Sequence, residues 1–314
     1  MRHLTRSALR FLGTLFLVSL IVFLLIDAVP GDAAAIMLGT SAQPDTLAAL
    51  RVELGLDRPA PIRYAAWIGG LLQGDFGVSY TYGVPVGGMI VERLAVTLPL
   101  ALMAVLLSAG IAIPLGALAA RRPGGTADLI ALGYAQTGLA VPNFWVGLLL
   151  VMVFALTLGW FPSGGFPGWG NGAGAALQAL ILPTIALALP QSAVLTRVMR
   201  AAAIEITREE FVRTARAKGN SPSRALWRHV VPNALIPVVT MLGMQISVLI
   251  AGAVLVENVF TLPGLGSLAF QALAQRDLVV IQNVVMLFAT IIIAINFVVD
   301  ALYLLLDPRL RGRR

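Results

Sequence analysis

Four stretches of the chain contain no charged side chain, and each is long enough to cross a membrane. They cover residues 94–120, 129–196, 230–256 and 278–299. A transmembrane helix needs about 20 consecutive, predominantly apolar residues. The ten-residue alternation of apolar and polar positions that is typical of a membrane β-barrel strand is not seen. The pattern therefore predicts an all-α polytopic membrane protein.

Two further features divide this pattern into six predicted transmembrane helices. The apolar run Phe11–Ile26 follows three arginines, an arrangement shared by secretory signals and first transmembrane helices, and we expect it to be retained as a span. The long uncharged stretch is interrupted by the Gly- and Pro-rich segment 162–174. The predicted spans are 11–26, 97–119, 129–158, 177–197, 234–256 and 284–306.

Composition supports this class and excludes several chemistries. Of the 314 residues, 58% are hydrophobic and 12% are charged, whereas soluble domains have about 25% charged residues. The chain has no cysteine, which excludes disulfides and thiolate nucleophiles. Its two histidines, His3 and His229, lie on separate segments, so we expect neither a metal site nor a catalytic triad.

The net charge of +7 is explained by membrane topology. With six spans both termini lie on one side, and that side carries 17 of the 22 Lys and Arg residues. Cytoplasmic loops of membrane proteins have this excess of basic residues. We therefore expect both termini in the cytoplasm and no nucleic-acid partner.

Two polar segments are expected on the outer side. Residues 30–96 form a predicted extracytoplasmic subdomain, with a helix over 44–57 that Asp45 caps and Gly55 helps to end. The second segment, 257–283, contains an amphipathic stretch after Pro263-Gly264-Leu265-Gly266. Both are candidate surfaces for a partner.

The loop over 199–232, between the fourth and fifth spans, predicts two helices and a tight turn. Helix-forming residues run from Ala201 to Lys218, and Gly219 occupies the position of a left-handed helix stop. Ser221 is a suitable N-cap and Pro222 a suitable first residue for a second helix that ends near Pro232.

Leu226 and Trp227 make the second helix of this loop partly apolar among basic side chains. This combination suits docking into a groove on another protein or lying on the membrane surface, and the pattern does not decide between them.

The same loop resembles the EAA loop of binding-protein-dependent ABC importer permeases, in the dipeptide, oligopeptide and nickel branch. The resemblance lies in Thr214-Ala215, in Gly219 and in Pro232, thirteen residues after that glycine. Arg213 stands where the motif name has Glu. Other matching blocks are 29–32, 54–57, 74–79, 141–145, 257–266 and 307–309, so the resemblance covers nearly the whole chain.

The resemblance implies a permease subunit in the bacterial cytoplasmic membrane that works with four other proteins. These are a second homologous permease, two ABC ATPase subunits and an extracytoplasmic solute-binding protein. The loop would couple to an ATPase, and ATP and Mg²⁺ would be bound by that partner, because this chain has no P-loop motif. The implied coupling residues are Glu210, Arg213, Thr214, Ala215, Ala217, Lys218, Gly219, Asn220, Ser221, Pro222, Arg224 and Pro232.

The predicted spans, together with the resemblance, divide the chain into four parts. They are the tail and first helix 1–29, the subdomain 30–96, the permease domain 97–306 and a basic tail 307–314.

Polar residues inside the spans are candidates for a translocation pathway or for hydrogen bonds between helices. Asp300 lies near an inner end, so its carboxylate could instead be structural. Glu257 and Asn258, at the outer end of the fifth span, could gate the pathway or meet the binding protein. The pathway candidates are Asn143, Gln191, Gln245, Ser247, Asn296 and Asp300.

Alternative functions remain open at this stage. An ion-coupled carrier or channel would have charged residues deep in several spans, and a membrane scaffold would not need polar residues there. Within the resembled family, peptides are the expected substrates, with nickel chelates, glutathione and other small solutes as alternatives.

Overall fold

The computed structural model describes residues 2–28, 33–38, 43–53 and 55–306. Thirteen α-helices occur in this part of the chain, joined by short turns and by π and 3₁₀ segments. Their bounds are α1 Arg2–Ala28, α2 Ala33–Leu38, α3 Pro44–Glu53, α4 Ala60–Gln73, α5 Val86–Ala120, α6 Thr126–Ala140, α7 Asn143–Leu150, α8 Ala173–Thr207, α9 Glu210–Ala217, α10 Pro222–Ala225, α11 Val231–Val259, α12 Leu265–Gln275 and α13 Leu278–Leu306. The basic tail 307–314 lies outside the described residues.

Five helical segments are long and apolar enough to cross a membrane, and a sixth crossing is formed if one bent pair counts as a span. The bent pair is α6 with α7 and the π segment Val151–Thr157 that continues it, at an angle of 100°. The prediction of an all-helical membrane protein is confirmed, but the single helix over 129–158 is wrong. Val141 is extended because Pro142 follows it, and Pro142 has no N–H to continue the helix.

The described chain forms two compact units. The first consists of Met1–Val96 and Gly264–Ala294, and the second of Thr97–Pro263 and Ile295–Arg314.

In the first unit, a buried carboxylate holds the loop before α5 to the start of α13. Asp277 is 1% exposed, and its Oδ2 accepts hydrogen bonds from the Ser79 hydroxyl at 2.5 Å and the Thr81 amide at 3.1 Å. Its Oδ1 accepts from the Val280 amide in the first turn of α13. Burial, and then the neighbouring charge of Asp277, raises the pKa of the Tyr80 hydroxyl.

The predicted helix over 44–57 is shorter than expected. α3 ends at Glu53, and Asp45 lies in its first turn, after Pro44, instead of capping it. Gly55 follows the helix with φ +65°, so the predicted stop is present.

In the second unit, α8 packs on α6, α7 and α11. Small residues allow close approach of α5 and α8: a Cβ atom added to Gly116 would lie 2.8 Å from the Thr196 carbonyl oxygen and 2.8 Å from the Met199 Cβ. Small residues at crossings of this kind let the backbones of membrane helices approach closely.

Candidate functional site

The segment between α8 and α11, residues 208–230, is called the arm below. α8 ends at Thr207, and Glu209 has an extended backbone (φ −65°, ψ 147°) before α9 begins. The prediction of one helix over 201–218 is therefore wrong. The break lets Val212 and Ala215, three residues apart on one face of α9, turn into the protein, where they are 1% and 8% exposed.

The turn after α9 has the predicted form. Gly219 has φ +90°, a conformation that L side chains rarely adopt. The Asn220 side-chain amide donates to the Ala215 carbonyl at 3.0 Å, which satisfies a carbonyl at the end of α9. The Ser221 hydroxyl then accepts from the Arg224 amide at 3.3 Å as the N-cap of α10.

The second helix of the arm does not end near Pro232, which corrects the prediction. α10 continues through the π segment Leu226–Val230 into α11, so that Pro222–Val259 is one helical segment of 38 residues. Pro232 is the second residue of α11, directly after the π segment, so its missing N–H falls where the hydrogen-bond pattern of the helix changes. At 1.5 Å per residue the segment is about 57 Å long.

The inner face of the arm shares one hydrophobic core with three membrane helices. This core joins residues of α5, α8, α9 and α11 with the start of the Pro222–Val259 segment. Leu226 is 4% exposed within it, so it contributes neither to a docking surface nor to a membrane-surface face, the two possibilities that its sequence context left open. The arm residues of the core are Val212, Leu226 and Val230, and the others are Ala112, Ala117, Ala120, Leu195, Met199, Ala202, Ala203, Val231, Ala234 and Val238.

The outer face of the arm is polar with two exposed aromatic rings. Phe211 and Trp227 are 45% and 43% exposed. Ala215 is buried and Asn220 is half-buried, and every other residue of the predicted coupling set is exposed. These exposed residues are Glu210, Arg213, Thr214, Ala217, Lys218, Gly219, Ser221, Pro222, Arg224 and Pro232.

An ion pair at the base of the arm was missed by sequence reasoning. Asp128, in the first turn of α6, pairs through both carboxylate oxygens with Arg200 of α8, and the Nη2–Oδ2 distance is 2.8 Å. The Gly124 amide donates to the same Oδ2 at 2.7 Å. The pair fixes the α5–α6 turn against α8, eight residues before the first residue of the arm. The charge-free stretch 129–196 begins directly after Asp128 and is followed by two arginines, Arg197 and Arg200, so the sequence does not show which of them is the partner.

Three of the pathway candidates lie at contacts of α11: Gln245 with Gln191 of α8, and Asn143 with Gly252. The Gln245 side-chain amide donates to the backbone carbonyl of Gln191 at 3.4 Å. Within the described part of the chain, no partner reaches the buried Gln245 Oε1. Asn143 lies against Gly252 of α11, so closely that an added Cβ would overlap its Nδ2.

The remaining pathway candidates are not part of this group. Ser247 is half-buried and Asn296 is exposed. Asp300 lies within α13, but its side chain is outside the described residues.

Glu257 is fully buried, and Thr97 donates to its carboxylate at 2.6 Å. The Asn258 side chain donates to the Val254 carbonyl one turn earlier, at 2.7 Å. In this conformation the Glu257 side chain offers no surface to another protein.

No group of three or more His, Asp or Glu side chains within the described residues is placed to hold a metal ion.

Two family descriptions together match nearly the whole sequence. Residues 112–312 match the binding-protein-dependent transport system inner membrane component, and residues 1–101 match the N-terminal part of such a membrane component. The chain belongs to this permease family. It is therefore a multi-pass inner-membrane subunit of an ABC transporter, a transport component without catalytic activity of its own, and the family assignment from the sequence is confirmed.

Relatives of this permease cover almost its full length. It is 39% identical over 322 aligned positions to a di/tripeptide transport system permease of Pseudomonas aeruginosa, with 96% of each chain covered. It is 36% identical to a glutathione transport system permease of Escherichia coli, with 99% of each chain covered. Its fold resembles the inward-facing methionine ABC transporter MetNI with a TM-score of 0.56 and 19% identity, over 70% of this chain and 96% of that one.

Proposed function

We propose that this permease is the membrane subunit of an ATP-driven importer for short peptides. The observation that carries the proposal is near-full-length similarity to permeases named for di- and tripeptides and for glutathione, itself a tripeptide. The proposed partners are a second homologous permease, two ABC ATPase subunits and an extracytoplasmic solute-binding protein. ATP and Mg²⁺ bind to the ATPase subunits.

We propose six membrane crossings with both termini in the cytoplasm. Asp128 at the start of α6 pairs with the last third of α8, whereas the Gly165 amide donates to the Phe260 carbonyl at the end of α11. α8 and α11 pack together, and the arm joins the end of α8 to the start of α11. The bent pair of α6 and α7 therefore carries the chain from the side of the arm to the opposite side. This supports counting α6 and α7 as one crossing, with the basic segments on the cytoplasmic side.

The arm is proposed to couple ATPase closure to the spans. Its outer face presents the polar residues and two aromatic rings to an ATPase, and its inner face is part of the core of α5, α8 and α11. Because packed cores move as units, displacement of the arm is transmitted to these three helices. The continuous Pro222–Val259 segment connects the arm directly to one of them.

The substrate pathway is proposed to run along α8 and α11. Gln245 supports this proposal, because its Oε1 is buried with no partner in the described part of the chain and could accept a hydrogen bond from a peptide amide. Gln191, Asn143, Ser247, Asn296 and Asp300 are the other proposed contacts. Glu257 and Asn258 are proposed to act at the outer gate through the packing of α11.

The experiment that tests the function is purification of the permease from its native membrane in mild detergent, with mass spectrometry of the proteins that accompany it. Recovery of a second permease and two P-loop ATPases is expected. Recovery of the chain alone would contradict the proposal. The ligand eluted from the partner binding protein separates a general di/tripeptide importer from one restricted to glutathione.

A further inference from the structure

A cavity of about 310 Å³ lies between the arm and the α5–α6 turn. Three arginines line it, Arg121 and Arg122 from the turn and Arg216 from α9. Apolar side chains line it as well, including Val212 and Leu226, which are 1% and 4% exposed. The cavity therefore combines a cationic part with an apolar part.

The positive charge of the cavity is not compensated by the described residues. None of those that line it carries a carboxylate. The side chains of Arg121, Arg122 and Arg216 form no ion pair and no hydrogen bond within the described ranges. Three guanidinium groups around one space repel each other, and an anion with several acceptor oxygens would satisfy them together.

The position of the cavity indicates where such an anion comes from. Arg121 and Arg122 directly follow the last residue of α5, at the end of a membrane helix. A basic pocket between helices at the cytoplasmic surface is a known form of binding site for lipid headgroups. One residue of the predicted coupling set, Pro222, borders the cavity, whereas Val212 and Leu226 of its wall are buried on the inner face of the arm.

We propose that this cavity binds the phosphodiester headgroup of an anionic membrane lipid. The arginines hold the phosphate oxygens, and the glycerol and the first methylenes lie against the apolar wall. The lipid bridges the α5–α6 turn and the arm. The proposal rests on the proposed cytoplasmic position of the arm, but not on the substrate or on coupling.

The test uses the purified transporter complex, returned to nanodiscs of phosphatidylcholine containing phosphatidylglycerol. Native mass spectrometry counts the phosphatidylglycerol molecules that each complex retains. Loss of two surface arginines should weaken binding about 30-fold, so R121Q/R122Q is expected to lose the retained lipid. The control is R10Q/R197Q, because both arginines are exposed, neither lines the cavity and neither belongs to the arm.

Three results would overturn the proposal. The first is that the wild-type complex retains phosphatidylglycerol no more strongly than phosphatidylcholine. R121Q/R122Q could retain as much as the control, or lose its ATPase subunits with unchanged lipid, which would assign the arginines to the protein interface. Inorganic phosphate could displace the lipid at equal concentration, which would indicate a site for free anions.

A second measurement covers the case in which R121Q/R122Q does not assemble. Phosphatidylglycerol with a photoreactive headgroup is cross-linked to the wild-type complex, and peptides are mapped. Labelling of 121–122 or 212–230 supports the site, and labelling only elsewhere overturns it. Binding-protein-dependent ATPase activity of the same wild-type sample tests the proposed function separately, so the two failures are distinguishable.

Discussion

The ion pair between Asp128 and Arg200 leads to a prediction of unequal single-mutant effects. The Asp128 side chain is 2% exposed, whereas the Arg200 side chain is 23% exposed. Arg200→Met leaves a carboxylate buried without its partner, and breaking a buried pair in this way costs about 3–5 kcal/mol. Asp128→Asn leaves a guanidinium that can reach water, so we expect a loss of about 1–2 kcal/mol.

The double variant makes the prediction sharper. Asp128→Asn with Arg200→Met contains no buried charge, and the Asn oxygen can still accept from the Gly124 amide. We therefore expect the double variant to be more stable than Arg200→Met alone, which is the non-additivity of a directly interacting pair.

The assay is unfolding of the purified permease in mixed micelles with increasing denaturing detergent, followed by tryptophan fluorescence. Arg197→Met is the control, because Arg197 is an exposed arginine one turn earlier on α8, and we expect it to change stability by less than about 0.5 kcal/mol. Equal losses for the two single variants, or a double variant that loses their sum, would refute the assignment of the carboxylate as the buried partner.

Three further predictions concern the arm and the helix contacts. Gly219→Val places a branched residue at φ +90° at a cost of about 1–2 kcal/mol, so stimulation of the ATPase by the loaded binding protein should fall while membrane insertion stays intact. The control Gly133→Ala, at an exposed helical position with open space, should leave the stimulation unchanged. Full stimulation in Gly219→Val would contradict the coupling assignment. Gly116→Leu forces α5 and α8 apart, so we expect about 1–3 kcal/mol of destabilisation in the same unfolding assay, and wild-type stability would show that the crossing is loose. Glu257→Leu removes the acceptor of the hydrogen bond from the Thr97 hydroxyl and should cost about 1–3 kcal/mol; an unchanged unfolding midpoint would show that this contact does not stabilise the packing of α5 and α11.

The features that could be predicted from the sequence are those that depend on neighbouring residues. Gly219 was expected to be left-handed because only glycine adopts that conformation easily, and Ser221 with Pro222 is a local signal for a helix start. The length of each uncharged apolar run is also a local property, and it identified the membrane helices. Family and transport class followed from motifs of this local kind.

The features that were missed depend on contacts between distant segments. The break at Glu209 is favoured because α9 buries Val212 in a core that α5 and α8 supply, and the sequence of the loop alone contains no trace of that core. The continuation past Pro232 depends on a π segment that a pattern of 3.6 residues per turn does not represent. The pairing of Asp128 with Arg200 spans 72 positions, and no spacing rule connects them.

The folded state of the arm has a consequence for the entropy of each transport cycle. Ordering a flexible loop costs about 1–2 kcal/mol per residue in backbone entropy. Both helices of the arm are held by contacts within this chain, and the turn between them is capped and hydrogen-bonded. In the coupling proposed above, an ATPase that docks on the arm meets a preorganised surface. Its binding energy is then not consumed in ordering a loop at every turnover and can drive the proposed rearrangement of the membrane helices.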